Sequence, residues 1–207
     1  SIEFKDHIDT MNKIINKNTN EVINYINLNI LDKPIILVGM MGTGKTVIGK
    51  MLAKSLNRIF FDIDENIEKH YHMTIYDIFE QYGENKFREI EHEEIKKIDV
   101  KSNYIIATGG GAFTFERNYN ILNQIGLTVW LNANQKTIVS RLKKNINNRP
   151  LLKNVEIDKY VSNLLLKRNP LYSKAHLSVI SKNESKIEMT NRILIKIKNY
   201  LVDNKNV

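Results

Sequence analysis

Apolar residues fall along this chain in two textures. Short apolar runs rich in β-branched and aromatic residues, interrupted only by Thr128 and Ser178, occur at Pro34–Val38, Ile59–Phe61, Tyr104–Ala107, Leu127–Leu131 and Leu177–Ile180. Runs of this length predict strands, and the first, Pro34–Val38, reads as a buried one. Between them, apolar positions recur every three or four residues, which predicts helices. One carries Val47, Ile48, Met51, Leu52 and Leu56. A short one covers Thr74–Phe79, capped by Thr74 with Asp77 at the capping-box position, and ends near Gly83; another runs on to about Ile98. Further helices cover Asn134–Leu142, a stretch holding Val161, Leu164, Leu165 and Arg168, and a last one with Ile187, Ile193, Leu194, Ile197 and Leu201. The segment Asn169-Pro170-Leu171-Tyr172 follows the penultimate helix. Strands alternating with helices read as an α/β domain, a central five-stranded parallel sheet covered on both faces in three αβα layers.

Residues 1–31 follow a different pattern. Phe4, Ile8, Met11 and Ile15 line one helical face, and Val22, Ile23, Ile26 and Ile30 line another, with many Asn between them. Asn lowers helix propensity. The expectation is an N-terminal helical extension on the flank of a domain at 32–203, with a partly frayed tail as the alternative.

The dominant chemical signal lies between the first strand and the first helix after it. Residues 39–46 read Gly-Met-Met-Gly-Thr-Gly-Lys-Thr, the G-x-x-x-x-G-K-T pattern of a phosphate-binding loop. Its glycines let the backbone wrap a phosphate, and its N–H groups form a nest at a helix N-terminus. Gly42, Thr43, Gly44, Lys45, Thr46 and Val47 are therefore candidate nucleotide ligands. Lys45 would reach the β- and γ-phosphates, and the Thr46 hydroxyl can ligate Mg²⁺.

Other candidates stand where strands end. Asp62 and Asp64 follow the second strand, so they can face the phosphate loop, where two carboxylates suit a metal and a hydroxyl. The competing reading makes Asp64 a helix N-cap. Gly109, Gly110 and Gly111 follow the third strand and permit close approach to a ligand. Arg88 and Glu91 are three apart and share a helical face, which a surface ion pair would also explain. Lys143–Leu152 is Asn-rich and polar, and reads as a mobile loop from which Arg149 could reach phosphates. Phe79 and Phe87 read as packing residues.

Composition narrows the function. Hydrophobic residues make up 42% of the 207, enough for one sizeable core, and there is no cysteine. Thiolate metal sites and disulfides are excluded. His70 and His72 are two apart and share no helical face, and all five histidines read as surface or core residues. No run approaches 18 apolar residues, so no membrane-spanning helix is expected. The expectation is a cytoplasmic enzyme without secretory leader, and the early acids Glu3, Asp6 and Asp9, with no arginine before Arg58, argue against an organellar one. The net charge of +8 is spread as scattered Lys without interleaved aromatics, which favours a small anionic substrate over nucleic acid. Of 31 basic residues only seven are Arg: 58, 88, 117, 141, 149, 168 and 192. In a chain that uses Lys freely, an Arg marks places where a planar fork is required.

In order and spacing, these motifs resemble those of the shikimate kinase family, a P-loop fold of the nucleoside-monophosphate-kinase type with a mobile lid. The resemblance runs from about Pro34 to Leu201. It rests on the phosphate loop, D-x-D at 62–64, F-R-x-x-E at 87–91, G-G-G at 109–111, R-P-L-L at 149–152 and R-N-P-L-Y at 168–172. It implies phosphorylation of the shikimate 3-hydroxyl by ATP with Mg²⁺, by a monomer that binds neither nucleic acid nor membrane. It assigns catalysis to Lys45, Asp64 and Arg149, the metal to Thr46 and Asp62, and the acid to Asp64, Arg88, Arg168 and Gly109–Gly111, with Glu91 orienting Arg88. The lid would span about 143–156. Two departures stand out: Val47 where the family usually has a second hydroxyl, and Leu142, preceded by Arg141, where it usually has an adenine-side arginine. The adenine loop is expected near Ser181-Lys182-Asn183. With an ordinary Asp pKa near 3.9, Asp64 is expected mainly to orient the hydroxyl and to accept its proton late. The rival readings are another small-metabolite kinase, such as a gluconate kinase, a nucleotide-binding regulatory module without turnover, and a nucleic-acid-binding protein.

Overall fold

A computed structural model describes residues 2–149 and 152–205. Five strands, β1 (Ile35–Val38), β2 (Ile59–Asp62), β3 (Tyr104–Ala107), β4 (Leu127–Asn132) and β5 (Leu177–Ile180), pair in the order β2-β3-β1-β4-β5. Every pairing is parallel. The helices are α1 (Ile2–Ile30), α2 (Lys45–Leu56), α3 (Ile63–Tyr71), α4 (Ile75–Lys96), α5 (Glu116–Ile125), α6 (Gln135–Lys144), α7 (Ile157–Tyr172) and α8 (Lys186–Asp203).

The two-residue period of a strand divides the core. Ile35 and Leu37 face one side, with Ile26 and Ile30 of α1, Ile48 and Leu52 of α2 and Ile193 and Ile197 of α8. Ile36 and Val38 face the other, with Ile63 and Ile67 of α3, Ile78 and Phe87 of α4, Ile138 of α6 and Val161 of α7. Both faces of β1 are fully covered, which explains its unbroken apolar sequence. Each such buried side chain contributes about 1.5–3 kcal/mol.

This strand order fixes the site. The chain leaves β1 toward β3 and β2 on one side and later crosses to β4 and β5 on the other, so β1 lies where the winding reverses. Ligands of such sheets bind beyond the carboxyl ends at that point. The register puts Leu37 and Asp62 level with Ala107, so three strand ends open at one height.

Several boundaries differ from the sequence reading, each for a physical reason. Residues 2–30 form one helix rather than two pieces or a frayed tail, because nothing in them breaks a helix and their second half is anchored. Arg58 donates to the carbonyls of Ile30 (2.7 Å) and Lys33 (2.9 Å), and Asn27 donates to that of Leu56 (3.2 Å). Ile8 and Met11 of the first face are exposed, whereas Ile26 and Ile30 of the second are buried. The side chains of Phe4 and Ile15 lie outside the described residues. β2 extends to Asp62, and α4 ends at Lys96 rather than near Ile98. The break at Gly83, with φ 80° and ψ 168°, divides α4 as expected.

Asn169–Tyr172 belong to α7 instead of following it. Pro170 is tolerated because the carbonyl it cannot engage is that of the exposed Leu166, and the last turn closes by other bonds, among them Ser173 N–H to Asn169. In the predicted lid, Lys143 and Lys144 still belong to α6, and Ile146–Asn148 form a 3₁₀ turn. Pro150 and Leu151 lie outside the described residues. No helix among those described is long and apolar enough to cross a membrane.

Candidate active site

The phosphate loop forms the floor. Gly44 adopts φ 94°, a left-handed conformation that glycine takes without strain, and α2 starts on it without a side-chain cap. The first-turn N–H groups are thus open to an anion, with the helix dipole behind them. Lys45 is buried and folds over its own loop, donating to the carbonyls of Gly39 (2.6 Å) and Met40 (2.8 Å). Burial pushes its pKa down to about 8 against the opposing pull of Asp64. The buried Thr43 secures the loop through a 2.8 Å bond to Met40.

The two aspartates after β2 have separate tasks. Asp62, not Asp64, caps α3, accepting from the Glu65 N–H at 3.0 Å. Its other oxygen accepts from the Thr46 hydroxyl at 3.3 Å. These paired hard oxygens beside a phosphate loop fit a divalent cation that takes its remaining ligands from water and phosphate. No group of three or more His, Cys, Asp or Glu among the described residues could hold a metal by itself.

Asp64 lies in the first turn of α3 with its Oδ1 buried and without a partner. Burial raises its pKa to about 7, with the negative charges of Glu91 and Asp62 adding to the effect. This corrects the expectation of an ordinary carboxylate: near neutral pH, Asp64 can accept a proton.

Across the cleft stand two arginines. Arg88 is gripped by Glu91 at 2.9 Å and lies over the rings of Phe87 and Phe115, both at 5.2 Å. Glu91 is fully buried, so this is not the surface pair that spacing alone allowed. Arg88 Nε is buried without a partner, and its nearest remaining acid, Glu84, stands 3.6 Å away. Arg168 forms no ion pair among the described residues; its Nη1 lies 3.8 Å from the Met40 sulfur, and the guanidinium also neighbours the Tyr172 hydroxyl. The three-glycine loop passes between these groups. A methyl on Gly111 would come within 2.6 Å of the Arg88 guanidinium, and one on Gly110 within 3.7 Å of Arg168.

Two cavities open here, and they meet. One, of about 370 Å³, is lined by Gly42, Gly44, Lys45, Thr46, Val47 and Asp62. The other, of about 440 Å³, is lined by Arg88, Glu91, Gly111, Arg168, Phe79 and Tyr160. Asp64, Arg149, Met41, Gly109 and Gly110 border both. A phosphate held on one side and a small anion on the other would thus face each other at Asp64 and Arg149. The shikimate kinase family model matches residues 41–198.

The chain belongs to the shikimate kinase family.

It is 42% identical over 162 residues to the shikimate kinase of Thermodesulfovibrio yellowstonii, covering 78% of this chain and 93% of that one. With the Bartonella quintana shikimate kinase it shares 37% over 175 residues, 84% of this chain and 83% of that one. Among solved structures, shikimate kinase from Acinetobacter baumannii in complex with shikimate superimposes with a TM-score of 0.74 at 35% identity, over 84% of this chain and 96% of that one. Helix α1 precedes the family match.

Every residue assigned above to phosphate, metal or acid borders one of the two cavities except Thr43, which is buried in the loop beneath them; Ser181, Lys182 and Asn183, where the adenine loop is expected, line neither. Arg141 lines the cavity above the phosphate loop and donates to the Gly42 carbonyl at 3.0 Å, while Leu142 is buried under the same glycine. The histidines stay out of both cavities; His92 sits 2.8 Å from Asn118, and His176 accepts from the Thr128 N–H. Some contributors had no sequence signal. Thr108 donates to the Leu37 carbonyl at 2.9 Å and locks β3 to β1 at the mouth. The buried Tyr172 donates its hydroxyl to the Gly110 carbonyl and holds the glycine loop in place. Only a chemical reason for tyrosine in R-N-P-L-Y could have pointed to it.

Proposed function

We propose that this shikimate kinase transfers the γ-phosphate of ATP to the 3-hydroxyl of shikimate, giving shikimate 3-phosphate and ADP. The observation that carries the reading is the junction of the two cavities at Asp64 and Arg149. The loop amides and Lys45 hold the triphosphate. Arg88 and Arg168 grip the shikimate carboxylate, helped by the Gly110 N–H, and Glu91 fixes the fork of Arg88. That geometry leaves the ring hydroxyls facing Asp64, whose buried Oδ1 lacks a partner and accepts from the attacking hydroxyl. Phosphoryl transfer through a loose transition state needs little early deprotonation, so Asp64 positions the alcohol first and takes its proton as the bond forms. Arg149, from the lid, neutralises charge on the transferring group. Thr46 and Asp62 would hold Mg²⁺, which supplies charge neutralisation for the phosphates. The enzyme works in the cytoplasm, a reading supported by its ATP dependence and its lack of cysteine.

The test is ADP release in the presence of Mg²⁺ with shikimate, gluconate or AMP as acceptor. Turnover is expected with shikimate alone. Equal turnover with gluconate or AMP would assign the second cavity to another substrate.

A further inference from the structure

Beside Gly44, at the rim of the cavity above the phosphate loop, stand two cations without an ion-pair partner among the described residues. Lys186 opens α8 directly after its cap, Ser185, and its Nζ would lie 3.0 Å from a methyl placed on Gly44. Arg141 reaches the same rim, through its bond to the Gly42 carbonyl. The acids on the neighbouring turns are committed elsewhere. Glu184 pairs with Arg192, and Glu188 closes the capping box on Ser185. Among the described residues neither Lys186 nor Arg141 forms an ion pair.

This placement is unfavourable in the free protein. A lysine in the first turn of a helix opposes the dipole, which favours acids there. It is also half-buried, and burial, followed by the charge of Arg141, holds the Lys186 ammonium below the ordinary lysine pKa. Two cations thus share the rim beside Gly44, at the N-terminus of α2, where one anion would neutralise both.

We propose that Lys186 is a further nucleotide contact whose ammonium meets the α-phosphate of ATP, the phosphate that Lys45 does not serve. The proposal rests on the nucleotide-site reading above. Lys45 serves the β- and γ-phosphates from inside the loop, and Lys186 serves the remaining one from the rim. Its contribution is charge rather than shape, so arginine can replace it and glutamine cannot.

Steady-state kinetics of the full chain with Lys186→Gln and Lys186→Arg test this, together with inhibition by adenosine, which carries the base and ribose but no phosphate. Loss of one charge-assisted bond at a half-exposed site should raise KM for ATP about tenfold in Lys186→Gln. The loss falls on KM for ATP rather than KM for shikimate, Lys186→Arg retains most of the affinity, and the inhibition constant of adenosine stays the same. An unchanged KM for ATP in Lys186→Gln overturns the proposal, and so does an equal weakening of adenosine. Failure of the unmodified enzyme to release ADP with shikimate would instead remove the kinase reading itself.

Discussion

A methyl group on Gly109 would lie 2.9 Å from both carboxylate oxygens of Asp64. The glycine is therefore a condition for where Asp64 points. Its neighbour in space is short and held by α3, so Gly109→Ala must turn the carboxylate away from the junction of the two cavities. The expected result is a fall in kcat of more than about tenfold, roughly 1.4 kcal/mol of barrier. KM for ATP should change little, because the phosphate loop is untouched. Steady-state kinetics together with circular dichroism separate this from misfolding.

The pH profile of kcat/KM should be bell-shaped and narrow. Asp64 must be ionised to accept the hydroxyl proton, and its pKa is near 7, so activity falls as pH drops through that value. Lys45 must be charged to hold phosphate, and its pKa is near 8, so activity falls again as pH rises through that value. The ratio kcat/KM reports these groups in the free enzyme. In Asp64→Asn the acid limb should vanish from whatever activity remains.

The same burial makes Asp64 a cost to the fold. Unfolded, it titrates near 3.8; folded, near 7. Between those values the folded state keeps a proton that the unfolded chain has released, so stability declines as pH rises through the window, and the full cost is present above it. Asp64→Asn should thus raise Tm at pH 8, by about 2–4 °C for each kcal/mol relieved, and the gain should shrink toward pH 4. The same variant should lose at least about nine-tenths of kcat, roughly 1.4 kcal/mol. Thermal melts at the two pH values check the first claim and turnover the second.

Arg168→Lys should raise KM for shikimate by about tenfold or more, because an ammonium cannot grip a carboxylate with two parallel bonds. Arg168 forms no ion pair among the described residues, so the variant leaves no buried acid stranded. An unchanged KM would take Arg168 out of the site.

How much of this was legible in the sequence depended on whether residue type or tertiary contact decided the matter. The five strands and the phosphate loop were legible, because short β-branched runs and a glycine-lysine spacing each admit few structures. Arg88 and Glu91 were legible as neighbours, but only the fold shows that Glu91 is buried and that the pair faces a cavity. The competing reading of Asp64 as the cap of α3 fails because β2 runs one residue further than its apolar run, which leaves the cap to Asp62. Pro170 suggested a helix end, yet α7 continues through it where the orphaned carbonyl is exposed. The raised pKa of Asp64 follows from burial, which no local pattern encodes. Lys186 carried no signal, and Tyr172, though it closes the R-N-P-L-Y motif, gave no sign of its role, since each acts on a loop more than sixty residues away.

The most direct test of the account compares shikimate with its methyl ester as acceptor for the unmodified enzyme, with Mg²⁺ and saturating ATP. The ester keeps the ring and the 3-hydroxyl and lacks only the charge that Arg88 and Arg168 are proposed to hold. Loss of charge-assisted bonds to two guanidinium groups should raise KM by at least about tenfold. Equal KM values for the acid and the ester would contradict the claim that the two arginines anchor the substrate opposite the phosphate loop.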